Sequence, residues 1–89
     1  MAMGILGVLV NNGNDGVDKM LYTVPVGKVA VFNIFVCTPN NGSVKINNII
    51  IGYVPGAINV EFKGIIGIAG TTVKFNSCSG IVTGYEEDA

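Results

Sequence analysis

About a third of this chain is Ile, Val or Thr (11 Ile, 13 Val and 5 Thr among 89 residues), and these β-branched residues run along its whole length. Branching at Cβ restricts χ1 and suits a pleated, half-buried surface better than a helix. No window of a dozen residues carries an apolar repeat of helical period. Turn residues recur about every 8–15 positions, the rhythm of a sandwich or barrel. The expected fold is all-β: an antiparallel β-sandwich of about seven or eight strands with an N-terminal arm or first strand.

Only 12% of the residues are charged, about half the share of an ordinary globular domain. A 9.2 kDa monomer exposes about 5,000 Å². Five Lys and six carboxylates cannot cover that area, so apolar groups must reach the surface. Contiguous apolar surface marks interaction sites, and the expectation is protein–protein contact over much of the outside. The alternative is a hydrophobic but monomeric sandwich. The length suits one domain, residues 1–89, with an arm at 1–16 and a small acidic tail at 86–89.

Along the chain, residues 5–10 read as a first strand and 11–16 as a loop rich in Asn and Gly. Residues 19–24 form a second strand, ended by a turn at Val24-Pro25-Val26-Gly27 with Pro25 second, as in a type I turn. Residues 28–37 make the strongest strand. Ala30, Phe32, Ile34 and Val36 share one side; Val29, Val31, Asn33, Phe35 and Cys37 share the other. Both sides are apolar, so one side packs on the domain's own second sheet and the other calls for a partner. Thr38-Pro39-Asn40-Asn41-Gly42 is a second turn, 43–53 a long strand, and Val54-Pro55-Gly56-Ala57 a type II turn. Residues 58–63 alternate cleanly, with Ile58, Val60 and Phe62 inward. The segment 64–70 has no assigned conformation. Strands follow at 71–77 and 79–85.

Several functions find no support in these residues. With no His, a nucleophile lacks its usual base, and the carboxylates fall mainly in loops and at the C-terminus; the expectation is a protein that is not an enzyme. No metal-ligand spacing, no phosphate-binding glycine motif and no cofactor is expected. The scattered Lys19, Lys28, Lys45, Lys63 and Lys74 form no basic stripe, so no nucleic acid is expected as a partner. No apolar run approaches the length of a membrane-spanning helix, and the first ten residues lack the charged leading region of a signal peptide. Cys37 and Cys78 read as buried free thiols, with a disulfide as the alternative. Asn33 and Asn48 interrupt apolar strand faces, either as satisfied amides or as inter-subunit hydrogen-bonding groups.

The segment Leu21-Tyr22-Thr23-Val24-Pro25-Val26-Gly27-Lys28-Val29-Ala30, followed by Phe32-Asn33-Ile34 and Cys37, resembles a group of small structural proteins of tailed bacteriophages, common in phages of cyanobacteria and other aquatic bacteria. The ending Gly84-Tyr85-Glu86-Glu87 looks like theirs too, and the match covers about half the chain. The chain departs from the group at Val26, where Ala is more usual, and in the low charge of Val44-Lys45-Ile46-Asn47. The resemblance implies a β-sandwich virion component without enzymatic activity, made in the host cytoplasm. The leading expectation is a capsid decoration (cement) protein that binds, as a homotrimer, between subunits of the major capsid protein. The alternative is a tail, baseplate or fibre-attachment component with tail proteins as partners. A carbohydrate-binding module is a further alternative, disfavoured by the lack of Trp. The expected contact residues are Ile5, Leu6, Val8, Leu9 and Val10 of the arm, able to add a strand to a neighbour, together with Tyr22 and Tyr53.

Overall fold

The most apolar run in the chain becomes a ten-residue strand, β3 (Lys28–Cys37), at an interior position of a sheet. In this computed structural model residues 4–10, 16–37, 42–54 and 59–89 are described, apart from the side chains of Cys37, Tyr53 and Val54. The turns expected around Pro39 and Pro55, most of the loop at 11–15 and Ile58 lie outside the described residues.

The other strands are β1 (Gly4–Leu9), β2 (Lys19–Thr23), β4 (Gly42–Ile46), β5 (Ile49–Val54), β6 (Asn59–Ile68), β7 (Thr72–Asn76) and β8 (Ser79–Asp88). They form two antiparallel four-stranded sheets, one ordered β1-β8-β3-β6 and the other β2-β7-β4-β5. Strand 1 pairs with 8, 2 with 7, 3 with 6 and 4 with 5. The chain is thus one long antiparallel ribbon, wound so that β3 also meets β8 and β4 also meets β7. This is the winding of a jelly roll, a β-sandwich in which nearly every connection crosses between sheets.

Between the sheets lie Val24, Ala30, Phe32, Ile34, Val36, Val44, Val73, Phe75, Cys78 and Val82, all essentially without solvent contact. Those in β3, β4, β7 and β8 are the inward residues of their strands, as period-two side-chain placement requires, and Val24 and Cys78 flank strands. Tyr22 joins them and meets Phe32 edge to face, with ring centroids 5.8 Å apart. Glycines make room for the rings. A Cβ on Gly80 would strike the Phe75 ring, and one on Gly84 would strike the Val31 carbonyl oxygen and the Phe32 backbone.

Three expectations need correction, and one segment left unassigned gains a conformation. The single strand expected at 43–53 is a hairpin: Asn47 and Asn48 take φ of 51° and 65°, the left-handed pair that a two-residue hairpin turn requires. The turn after β2 closes one residue later than expected. Lys28 N donates to the Pro25 carbonyl, and Gly27 (φ 80°) stands third, as a type II turn demands. The segment 64–70 mostly continues β6, with Lys63 and Gly64 together opposing Asn33 across a β-bulge. The acidic tail is not free: Glu86, Glu87 and Asp88 complete β8 opposite Ala30, Val29 and Lys28.

The arm, expected as a first strand or as able to add a strand to a neighbour, pairs with its own sheet, along β8. Each of the four edge strands carries one extra residue: Leu6 in β1, Leu21 in β2, Ile51 in β5 and the Lys63–Gly64 position in β6. The two interior ladders, β3 with β8 and β4 with β7, run in unbroken register. Bulged edges twist away from flat pairing and resist edge-to-edge aggregation.

Truncating Phe32 to Ala should lower unfolding stability by about 3–5 kcal/mol, because a fully buried ring leaves a cavity; urea denaturation measures it. Gly84→Ala is expected to destabilise by more than about 1 kcal/mol, since its methyl meets backbone that cannot move without breaking the central ladder.

Candidate interaction surface

The outward half of β3 faces away from the core, and its register with its neighbours defines a whole sheet face. Directly opposed residues share a face. Phe35 lies beside Ile81, which lies beside Val8 of β1. Val31 lies between Tyr85 and Ile66, and Val29 lies beside Ile68. Asn33 and Thr83, with Ile5 beyond, form the one polar-centred row. Ile66 and Ile68 are each 71% exposed, Ile5 65% and Phe35 41%. The outer face of the β1-β8-β3-β6 sheet is therefore largely apolar, crossed by the Asn33–Thr83 pair.

Charge is kept to its margins. Glu61 and Lys63 stand at the β6 edge, 3.5 Å apart. Glu87 stands near one end of β8. The Asn33 side chain is satisfied within the sheet, its Oδ1 accepting from the Gly64 N–H at 2.8 Å. At about 4.8 Å between strands and 3.3 Å per residue, the face spans roughly 500 Å² in projection. Patches of this size on monomers are often functional.

The opposite outer face, on the β2-β7-β4-β5 sheet, is mixed: in one row Lys74 and Lys45 stand between exposed Met20 and Ile50. Lys45 and Lys74 oppose each other directly, an arrangement that destabilises unless each is compensated. Asp18 does this for Lys45, accepting from its Nζ at 2.8 Å, and also accepts from Asn76 Nδ2 at 3.1 Å. Lys74 Nζ donates to Asn48 Oδ1 at 2.7 Å. The hydrogen bond from Lys45, then that from Asn76, holds the Asp18 carboxyl below the usual Asp range.

The residues expected at an interface divide. Ile5, Val8 and Val10 are exposed, the first two on the apolar face. Leu6 and Leu9 are half-buried and pack on the core. Tyr22 is a core residue, 8% exposed, with its hydroxyl donating to Glu86 at 2.6 Å; burial, then Glu86, pushes its pKa up. It has no free face for a partner. Tyr53's side chain lies outside the described residues. Ile66, Ile68 and Ile81 of this face were not among the expected residues. The alternation Ile66–Ile68 is legible once the strand is carried through Gly64.

No catalytic arrangement emerges from these contacts. Cys78 is a buried free thiol whose pKa is raised by burial, the opposite of a reactive cysteine. Among the described residues no group of three or more His, Cys, Asp or Glu is placed to hold a metal ion. Comparisons with protein-family models, curated proteins and solved structures return no match.

The Asp18 cluster makes acid stability testable. A carboxyl with a lowered folded pKa contributes stability above its unfolded value, near 3.9, and loses it as pH falls through the folded value. Asp18→Asn should therefore cost about 1 kcal/mol at pH 6, discounted for partial exposure. The gap to the unmodified protein should close towards pH 2, as read from urea unfolding at both pH values.

Proposed function

We propose that this chain is a non-enzymatic structural protein of a tailed-bacteriophage particle, a capsid decoration (cement) protein that binds between subunits of the major capsid protein. The observation that carries this reading is the largely apolar outer face of the β1-β8-β3-β6 sheet, backed by a second sheet whose outer face centres on Lys45 and Lys74. A small sandwich with one face greasier than the other suits attachment to a larger assembly. The resemblance of residues 21–37 and 84–87 to small phage structural proteins supplies the kind of assembly. Those two stretches adjoin in space, since Val31 and Tyr85 are neighbours across the β3–β8 ladder. Jelly rolls serve in viral shells among many other settings.

The mechanism is mass action. A protein that binds the assembled shell and not its dissociated subunits stabilises it by about 2.7 kcal/mol per site at a hundredfold excess over Kd. No bond is made or broken, and the chain needs only shape and surface. Repeated around the shell, that modest increment resists internal pressure.

The particle that carries this chain provides the test. Electron cryomicroscopy is expected to place it at symmetry-equivalent positions over the whole head. Heads lacking it should rupture at lower temperature and recover when purified protein is added back. Density confined to the tail would replace decoration with an adaptor role, and absence from the particle would end the proposal.

A further inference from the structure

We propose that the apolar face of the β1-β8-β3-β6 sheet is covered by a second copy of this chain, packed face to face about a two-fold axis. The result is four layers of sheet with the two lysine-bearing faces outward. The inference goes beyond the proposed function: it concerns the free protein, whose pair must open for this face to meet a shell, and its test needs only the purified chain.

Area gives the first argument. Two faces of roughly 500 Å² together bury about 1,000 Å², the size at which a specific interface separates from chance contact. Charge gives the second. The row Tyr85–Val31–Ile66 has no ionised side chain, while Val8–Ile81–Phe35 ends on Glu61 and Val29–Ile68 is flanked by Glu87. Glu61 is answered by Lys63 at the margin. A partner therefore meets charge only at the ends of these rows and needs an apolar surface between them, which a second copy presents.

Closure gives the third. Laying the apolar face of one copy on the lysine-bearing face of the next would strip water from Lys45 and Lys74 without a new partner, at a cost of desolvation. Face-to-face pairing avoids this. It uses the same patch twice and ends at two copies, whereas head-to-tail stacking would run on into a fibre. The pair differs from the trimer expected from the sequence, which would need a surface other than this one.

Sedimentation equilibrium of the purified protein, from about 1 μM to about 500 μM, decides the matter. The expected mass is twice 9.2 kDa. Ile66→Lys and Phe35→Lys should each weaken the pairing by at least about tenfold. Ile50→Lys, on the other sheet's outer face, should leave it unchanged, with circular dichroism reporting the fold of all three. If either face variant unfolds, the unmodified protein's concentration series is sufficient. A mass of 9.2 kDa throughout, a trimer, or pairing that survives Ile66→Lys overturns the proposal. A monomer that still binds heads would do so while leaving the decoration role intact.

Discussion

Everything in this molecule follows from a sheet that is apolar on both faces while the chain has only one second sheet to offer. Strand β3 is the source. Ala30, Phe32, Ile34 and Val36 vanish into the core, and Val29, Val31 and Phe35 are left on the other side. The neighbours repeat the pattern: Val82 lies inward, while Ile81 and Tyr85 lie outward. An 89-residue chain can close one core and no more. The outer face is left over by arithmetic, with the Glu61–Lys63 pair at its β6 edge and Glu87 beside Val29.

The second sheet is organised in the opposite way. Its inward residues, Val44, Val73 and Phe75, are buried, and its outward residues include Lys45, Lys74 and Asn76. That polar side depends on Asp18, which arrives from the segment before β2 to separate two opposed lysines. The contrast between the sheets gives the molecule a direction. The jelly-roll winding reinforces it by leaving only four edges, each bent by a bulge. Unpaired backbone is thereby kept from becoming an indiscriminate adhesive, and the sheet face remains the surface for association.

Much of this was legible before any coordinates. Alternation in 28–37 separated Ala30, Phe32, Ile34 and Val36 from Val29, Val31, Asn33 and Phe35, because period-two patterning is a local property. Three features were not. Asn47-Asn48 sits inside a run of strand-forming residues, and only the pairing of Ile46 with Ile49 makes it a turn. Gly64 looked like a break because Gly weakens strands, yet it serves a bulge whose amide is held by Asn33, 31 residues away. Tyr22 looked like a surface anchor near a strand end. It is buried because Glu86, carried by the last strand, supplies an acceptor for its hydroxyl.

From the sequence alone came the strand class, the two-sided character of β3 and the scarcity of charge, since all three depend on residue type and spacing over a few positions. The tertiary structure decided which side of β3 is inside, which residues across the whole chain stand next to one another, and that Ile5, Val8, Phe35, Ile66 and Ile68 come together on one sheet face while Met20 and Ile50 flank two lysines on the other. The physical reason is that alternation divides a strand into two faces without ranking them. The ranking is made by the opposing sheet, whose strands pair in the order 1-8-3-6 and 2-7-4-5 through contacts between residues far apart in the sequence.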